Sequence, residues 1–140
     1  MRRSLGDVTD GAESLYERVG GQPWFDDLVE RFYLGVESDP VLRPLYPEDL
    51  EPGKRHLALF FGQYWGGPSA YSEERGHPRL RARHLPFTVG VAERDAWVGH
   101  MVAAVEACEM TPEDRRAMVE YLEQAATFLI NQDPLSLRPS

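Results

Sequence analysis

Apolar residues return at intervals of three and four through most of the chain, and no segment alternates apolar with polar in the manner of a half-buried strand. Ser14 and Glu17 form a capping-box pattern, and Gly20-Gly21 closes the turn that follows. Pro23 then opens a helix in which Trp24, Leu28, Phe32 and Val36 share a face, and Asp39-Pro40 stops it. A turn from Val41 to Tyr46 is bracketed by Pro40, Pro44 and Pro47. From Glu51-Pro52 a second helix carries Leu57, Phe60, Phe61 and Tyr64 on one side, until Gly66-Gly67-Pro68 ends it. A third spans about Val91 to Glu109, with Trp97, Met101, Val105 and Cys108 inward. Thr111-Pro112 and Asp114 cap a fourth, whose broad apolar face comprises Met118, Leu122, Ala125 and Leu129 with Val119, Ala126 and Ile130. The pattern predicts an all-α fold of two helix pairs in one domain, residues 14–131. Residues 1–13 and 132–140, polar or proline-containing, are expected to be flexible extensions.

One stretch breaks the regularity. Residues 68–87 hold too many Gly, Pro and Arg for a long helix, although His77-Pro78 can start a short one that ends before Pro86 with His84 in its last turn. An irregular segment of roughly twenty residues inside a compact helical domain is uncommon and is normally functional or disordered. Within it, Arg75 to His84 is a basic island that holds Arg75, Arg79, Arg81 and Arg83 and no carboxylate. The chain as a whole is acidic, with 15 Lys and Arg against 23 Asp and Glu, a net charge of −8. That balance argues against general binding of nucleic acid or of anionic membranes, while the island offers a local dock for an anionic group. The arginines can equally pair with Glu73, Glu74 and other acids at a solvated turn.

No run approaches the ~18 apolar residues of a membrane span, so no stable membrane insertion and a cytoplasmic location are expected. Cys108 is the single cysteine, which excludes an intrachain disulfide and fits a small buried hydrophobe.

His84 is the residue with the sharpest chemical potential. A neutral imidazole ligates iron, and a haem needs such a ligand on one face only. Tyr33, Tyr46 and Trp97, amphipathic rings on three separate segments, would supply hydrogen-bond donors above it. Taken singly, each has an ordinary explanation: a helix-end histidine, and core aromatics whose polar tips find a carbonyl. A metal-free helical module that meets an acidic partner through the arginine island stays open on the residues alone. A zinc site using His77 and His84 is weaker, because two further ligands are missing.

The runs Gln63-Tyr64-Trp65-Gly66-Gly67-Pro68, Tyr71-Ser72-Glu73, Gly76-His77-Pro78-Arg79-Leu80-Arg81-Ala82-Arg83-His84-Leu85-Pro86-Phe87 and Glu93-Arg94-Asp95-Ala96-Trp97 strongly resemble the bacterial truncated haemoglobins of group II. Arg31-Phe32-Tyr33 and Tyr46-Pro47-Glu48-Asp49-Leu50 fit the same family in order and spacing, and the likeness spans about Leu15 to Asn131. The resemblance implies a truncated globin, a two-over-two helical sandwich around haem b (iron protoporphyrin IX). It implies His84 as the proximal iron ligand and Tyr33, Tyr46 and Trp97 as distal donors to dioxygen and other diatomic ligands. Gly53 falls where many globins carry a distal histidine, so the expected site lacks that gatekeeper and is less obstructed there. His56, Tyr71 and Arg81 are candidates for the haem propionates, and Leu57, Phe60, Phe61 and Phe87 for packing against the ring. Beside reversible gas binding, a haem peroxidase or nitric oxide dioxygenase remains open. The chain has no flavin or nicotinamide domain, so that activity would need a separate reductase. A homodimer is compatible with the chain.

Overall fold

Helix α2 (Gln22–Glu37) packs on both α3 (Glu51–Tyr64) and α5 (Val91–Ala107), and α5 packs on α6 (Pro112–Phe128). Two short helices complete the set, α1 (Leu15–Val19) before α2 and α4 (Ala70–Arg75) after α3, with a 3-10 turn at Arg43–Leu45. The computed structural model describes residues 13–77, 79 and 89–129, and among these there is no strand. This all-helical architecture is the one the periodicity predicts. The expected flexible ends, apart from Glu13, and the expected short helix bearing His84 lie outside the described residues, as do Arg81 and Phe87.

Each boundary has a local cause. Ser14 Oγ accepts from the Glu17 amide and Glu17 Oε1 from the Ser14 amide, both at 3.2 Å, so the capping box is reciprocal. Asp39 replaces the helix ladder after α2: its Oδ1 accepts from the Val41 amide at 2.7 Å. The Arg43 guanidinium then donates to the carbonyls of Tyr46, Pro47 and Glu48, which ties down the segment carrying Tyr46. At the far end of α5, Arg115 donates to the carbonyls of Val105 and Cys108, satisfying groups that a helix terminus leaves open.

The core runs along α2 and α5. Phe25, Leu28, Phe32 and Val36 are buried from one, Met101 and Val105 from the other, with Met118 and Leu122 closing from α6. Trp24 is only partly buried. Its indole N–H donates to the Glu109 carbonyl at 3.1 Å, so it ties α2 to the α5–α6 turn at the edge of the core.

The expectation that residues 68–87 are irregular needs correction at their start, because α4 is helical. Its sequence has no helix-spaced apolar stripe, and Tyr71 is its buried residue. Tertiary contact makes up the difference: Gln63 at the end of α3 accepts from the Ser72 amide at 2.9 Å and donates to Ser72 Oγ at 2.8 Å. Glu74, one of the acids open to the arginine island, pairs with Arg55 of α3.

Asp114, buried at the start of α6, receives both Arg18 Nε at 3.0 Å and Arg18 Nη2 at 2.8 Å. These hydrogen bonds hold its carboxyl below the usual carboxylate range. A depressed folded value stabilises the fold above the ordinary carboxylate range, and the contribution is lost as pH falls through the folded value. Asp114→Ala should therefore cost about 1–2 kcal/mol at neutral pH, since Arg18 is partly open to solvent. Urea denaturation of both proteins from pH 7 downward should show the difference shrinking in acid.

Candidate functional site

A cavity of about 420 Å³ opens between α2, α3, α5 and α6. Its walls gather Tyr33 from α2, Tyr46 from the segment pinned by Arg43, and Gly53, His56, Leu57, Phe60 and Phe61 from α3. Tyr71 of α4 and Trp97 of α5 join them, so residues that are far apart in sequence meet on one hollow. His84, Arg81 and Phe87 are outside the described residues.

The helix periods explain the convergence. Phe32 is fully buried against α5, its ring 5.6 Å from that of Trp97, which turns Tyr33, the next residue along, toward α3. The Tyr33 and Tyr46 rings meet edge to face with centroids 5.6 Å apart. The Trp97 side chain acts on the Tyr46 hydroxyl as a polar neighbour that pulls its pKa down, against the larger upward push of burial. The three polar rings are thus coupled through Tyr46.

Burial pushes Tyr33 up to about 12, against the opposing pull of Lys54. Tyr46 is also pushed up, by burial first and by Tyr33 second. Both phenols are therefore neutral donors at physiological pH. Lys54 lies 6.0 Å from the Tyr33 ring centroid and is held there by Glu30 at 2.8 Å and Glu51 at 3.0 Å. Those carboxylates raise its pKa, so the cation persists beside the ring.

Gly53 behaves differently from the expectation of open space. A Cβ built on it would fall 2.8 Å from Tyr33 Oη, so the phenol hydroxyl sits where a side chain would stand. Gly53→Ala must displace a hydroxyl whose ring is confined by Phe32 and Tyr46. Alanine's helix preference of about 1 kcal/mol offsets part of that cost, so stability should change little while the Tyr33 phenol is displaced. Thermal melts and the ultraviolet difference spectrum of the tyrosines check the two halves separately.

Part of the site was not legible as such. Leu122, Ala125, Ala126 and Leu129, identified from the sequence only as a helix-packing face, form a wall from α6 together with Tyr121, which the sequence did not single out. The breadth of that face was the available signal, since one neighbouring helix does not need so wide a stripe. Arg75, Arg94 and Glu93 add charge to the lining, and Arg94 is positioned by Thr127 at 3.1 Å and Asp95 at 3.0 Å. Among the described residues, Arg75 is the member of the arginine island that lines the cavity. Cys108 takes no part: it is buried, with its thiol pushed up by desolvation and Asp27.

One turn along from Phe32 and Trp97, the same two helices touch again. His100 Nε2 lies 2.6 Å from Asp39 Oδ2, and its imidazole rests on Gly35, where a Cβ would fall 2.3 Å from His100 Nδ1. Trp97 is thereby held between two fixed contacts of α5 on α2.

Among the described residues no helix is long and apolar enough to cross a membrane, and no cluster of three His, Cys, Asp or Glu is placed to hold a metal ion. The apolar walls with a polar cluster at one end and arginines on the lining suit a flat apolar ring bearing acid groups.

Comparison with known proteins gives a consistent picture. The bacterial-like globin family matches residues 14–131. A group 2 truncated hemoglobin of Bacillus subtilis is 40% identical over 125 residues, which cover 89% of this chain and 94% of its own. The crystal structure of the hemoglobin of Chloroflexus aurantiacus superposes with a TM-score of 0.85 at 50% identity, covering 86% of this chain and all of that one. A group II truncated hemoglobin of Bacillus anthracis superposes with a TM-score of 0.83 at 36% identity, over 87% and 94% of the two chains.

Proposed function

Because the chain belongs to the bacterial-like globins, among the group II truncated haemoglobins, a family that binds diatomic gases at haem, we propose that it holds haem b in the cavity described above with His84 as the iron ligand. The observation that carries this reading is the meeting of Tyr33, Tyr46 and Trp97 at one end of an apolar hollow. Haem, when bound, supplies the coordination position at which dioxygen or another diatomic is taken up. This chain's residues do the rest. Leu57, Phe60, Phe61 and Phe87 exclude water from the ring. Tyr71, Arg81 and His56 are the candidates to meet its acid groups, and Arg75 joins them because it lines the cavity. Tyr46, neighboured by Trp97, and Tyr33, lodged over Gly53, present neutral hydroxyl protons to the ligand.

Absorption spectra of the purified, haem-supplied protein in ferric, ferrous, oxygenated and carbonyl forms test this directly. A Soret band that shifts on addition of each gas is the expected result, and its absence after haem supply would overturn the proposal.

A second reading, a peroxidase or nitric oxide dioxygenase working with a separate reductase, is favoured by the oxidisable rings on the cavity wall. Turnover of peroxide with a reducing substrate that is lost in Trp97→Phe or Tyr33→Phe would select it. Gas binding without turnover would select the carrier.

A further inference from the structure

The Tyr33 phenol rests on two consecutive residues of α3. Gly53 leaves its hydroxyl room, and Lys54 sets its ammonium 6.0 Å from the ring centroid. The ring's aromatic neighbours, Phe32 and Tyr46, meet it edge to face and carry no charge. An ammonium on a flexible stem does not stay beside a ring unaided. Glu30 of α2 takes this one at 2.8 Å, and Glu51, one turn earlier on α3, at 3.0 Å. The Lys54 side chain is 18% exposed, against 56% and 76% for the two carboxylates. Water therefore screens the anions more than the cation, and the field that reaches the ring carries the sign of the ammonium.

We propose that Lys54 is a positioning residue for gas binding: it polarises Tyr33 through the ring and makes the neutral phenol a stronger hydrogen-bond donor to a gas held in the cavity. This rests on the haem reading above and deepens it, because Lys54 is not among the residues that line the cavity and can act there only through Tyr33. A cation beside a phenol favours the phenolate over the phenol, so the O–H bond becomes more acidic and donates more strongly. Burial pushes the Tyr33 phenol up and Lys54 pulls it the other way, which leaves it protonated at physiological pH but primed to donate. Dioxygen, whose outer atom gathers negative charge when bound, gains more from such a donor than carbon monoxide does. Lys54 thus contributes to discrimination between the two gases.

A plain tie between α2 and α3 through Glu30 is the competing role for Lys54, and the two roles part on charge. The test compares haem-supplied Lys54→Met, Lys54→Arg and Glu30→Gln by stopped-flow release of dioxygen and by the C–O stretching frequency of the carbonyl form. Lys54→Met should speed release about two- to five-fold, the scale of a solvent-exposed cation–ring contact. It should also raise the stretching frequency, since a weaker positive field on the ligand leaves the C–O bond stronger. Lys54→Arg, which keeps the charge, should stay close to the wild type. Glu30→Gln cuts the tie to α2 while Glu51 still holds the ammonium, and should leave both readings near those of the wild type. In a Tyr33→Phe background, adding Lys54→Met should change nothing further.

Wild-type release rates in Lys54→Met would overturn the proposal. A Glu30→Gln effect as large as that of Lys54→Met would reduce Lys54 to a tie, and an undiminished Lys54 effect in Tyr33→Phe would remove Tyr33 from the route. Haem-free protein supplies an independent arm. Its alkaline difference absorbance, with Tyr33→Phe to identify the signal, should show the Tyr33 phenol titrating at higher pH in Lys54→Met than in the wild type. An unshifted titration overturns the polarisation. A protein that takes up no haem overturns the haem reading and the use of the donor on a gas, and the titration then decides the polarisation by itself.

Discussion

Replacing His84 by alanine should abolish the histidine-ligated ferrous spectrum while leaving the helical far-ultraviolet signal in place. The cavity narrows the alternatives sharply: among its described lining residues His56 is the one imidazole. His56 lies on α3 three residues after Gly53, on the helix that meets the Tyr33 hydroxyl. A ring ligated from α3 would crowd the tyrosine donors and leave the opposite face without a ligand. Ligation by His84, as proposed, would leave the Tyr33 and Tyr46 hydroxyls free to meet the bound gas. In His84→Gly the space left by the side chain should accept free imidazole, and adding it should restore the spectrum. If the spectrum survives in His84→Ala and vanishes in His56→Ala, the iron is held from α3 and the assignment of faces must be reversed.

Tyr46→Phe should speed dissociation of dioxygen about ten- to a hundred-fold. A hydrogen bond to a charged or partly charged acceptor contributes roughly 1.5–3 kcal/mol, and each 1.4 kcal/mol is a factor of ten. The Trp97 link complicates the arithmetic in a testable way. With the phenol oxygen gone, the indole N–H loses that polar neighbour and becomes available to the bound gas, so Trp97 should partly compensate. The double variant Tyr46→Phe/Trp97→Phe should therefore release dioxygen faster than the product of the two single effects predicts, a coupling that a double-mutant cycle exposes. Carbon monoxide, a poorer acceptor, should respond much less. The pH dependence follows from the same environment: burial holds Tyr33 neutral up to about 12 and raises Tyr46 as well, so release rates of the wild type should stay flat from neutral pH to roughly 10. Stopped-flow mixing with a dioxygen scavenger measures all of these.

Much of this architecture is legible in the residues because single strong signals mark it. The capping box at Ser14 and Glu17, the proline at the first turn of α2, α3 and α6, and the recurrence of large apolar residues are local, and local signals survive into the fold. Helix α4 was not legible, because its helicity depends on a glutamine nine residues earlier that binds its backbone and hydroxyl, and no propensity scale registers such a contact. The site divides in the same way. Tyr33, Tyr46 and Trp97 stand out as amphipathic rings in recognisable motifs, whereas their wiring, with Trp97 set beside the Tyr46 hydroxyl and Tyr33 filling the space over Gly53, exists only once three helices meet. Tyr121 escaped notice for another reason. On a helix whose apolar face already suffices for packing, a tyrosine at the edge of the stripe looks like a surface residue until the cavity beneath it is seen.

The seat of His100 on Gly35 ties two positions together in descent. Any side chain at position 35 evicts the imidazole, and with it goes the contact to Asp39 that closes the end of α2. A lineage that gains even alanine at 35 must shrink residue 100 in step or let α5 ride outward, which would carry Trp97 away from Tyr46. Drift at a glycine that touches no ligand is therefore constrained by gas binding. The pair 35 and 100 should change together or not at all among chains that keep the tryptophan.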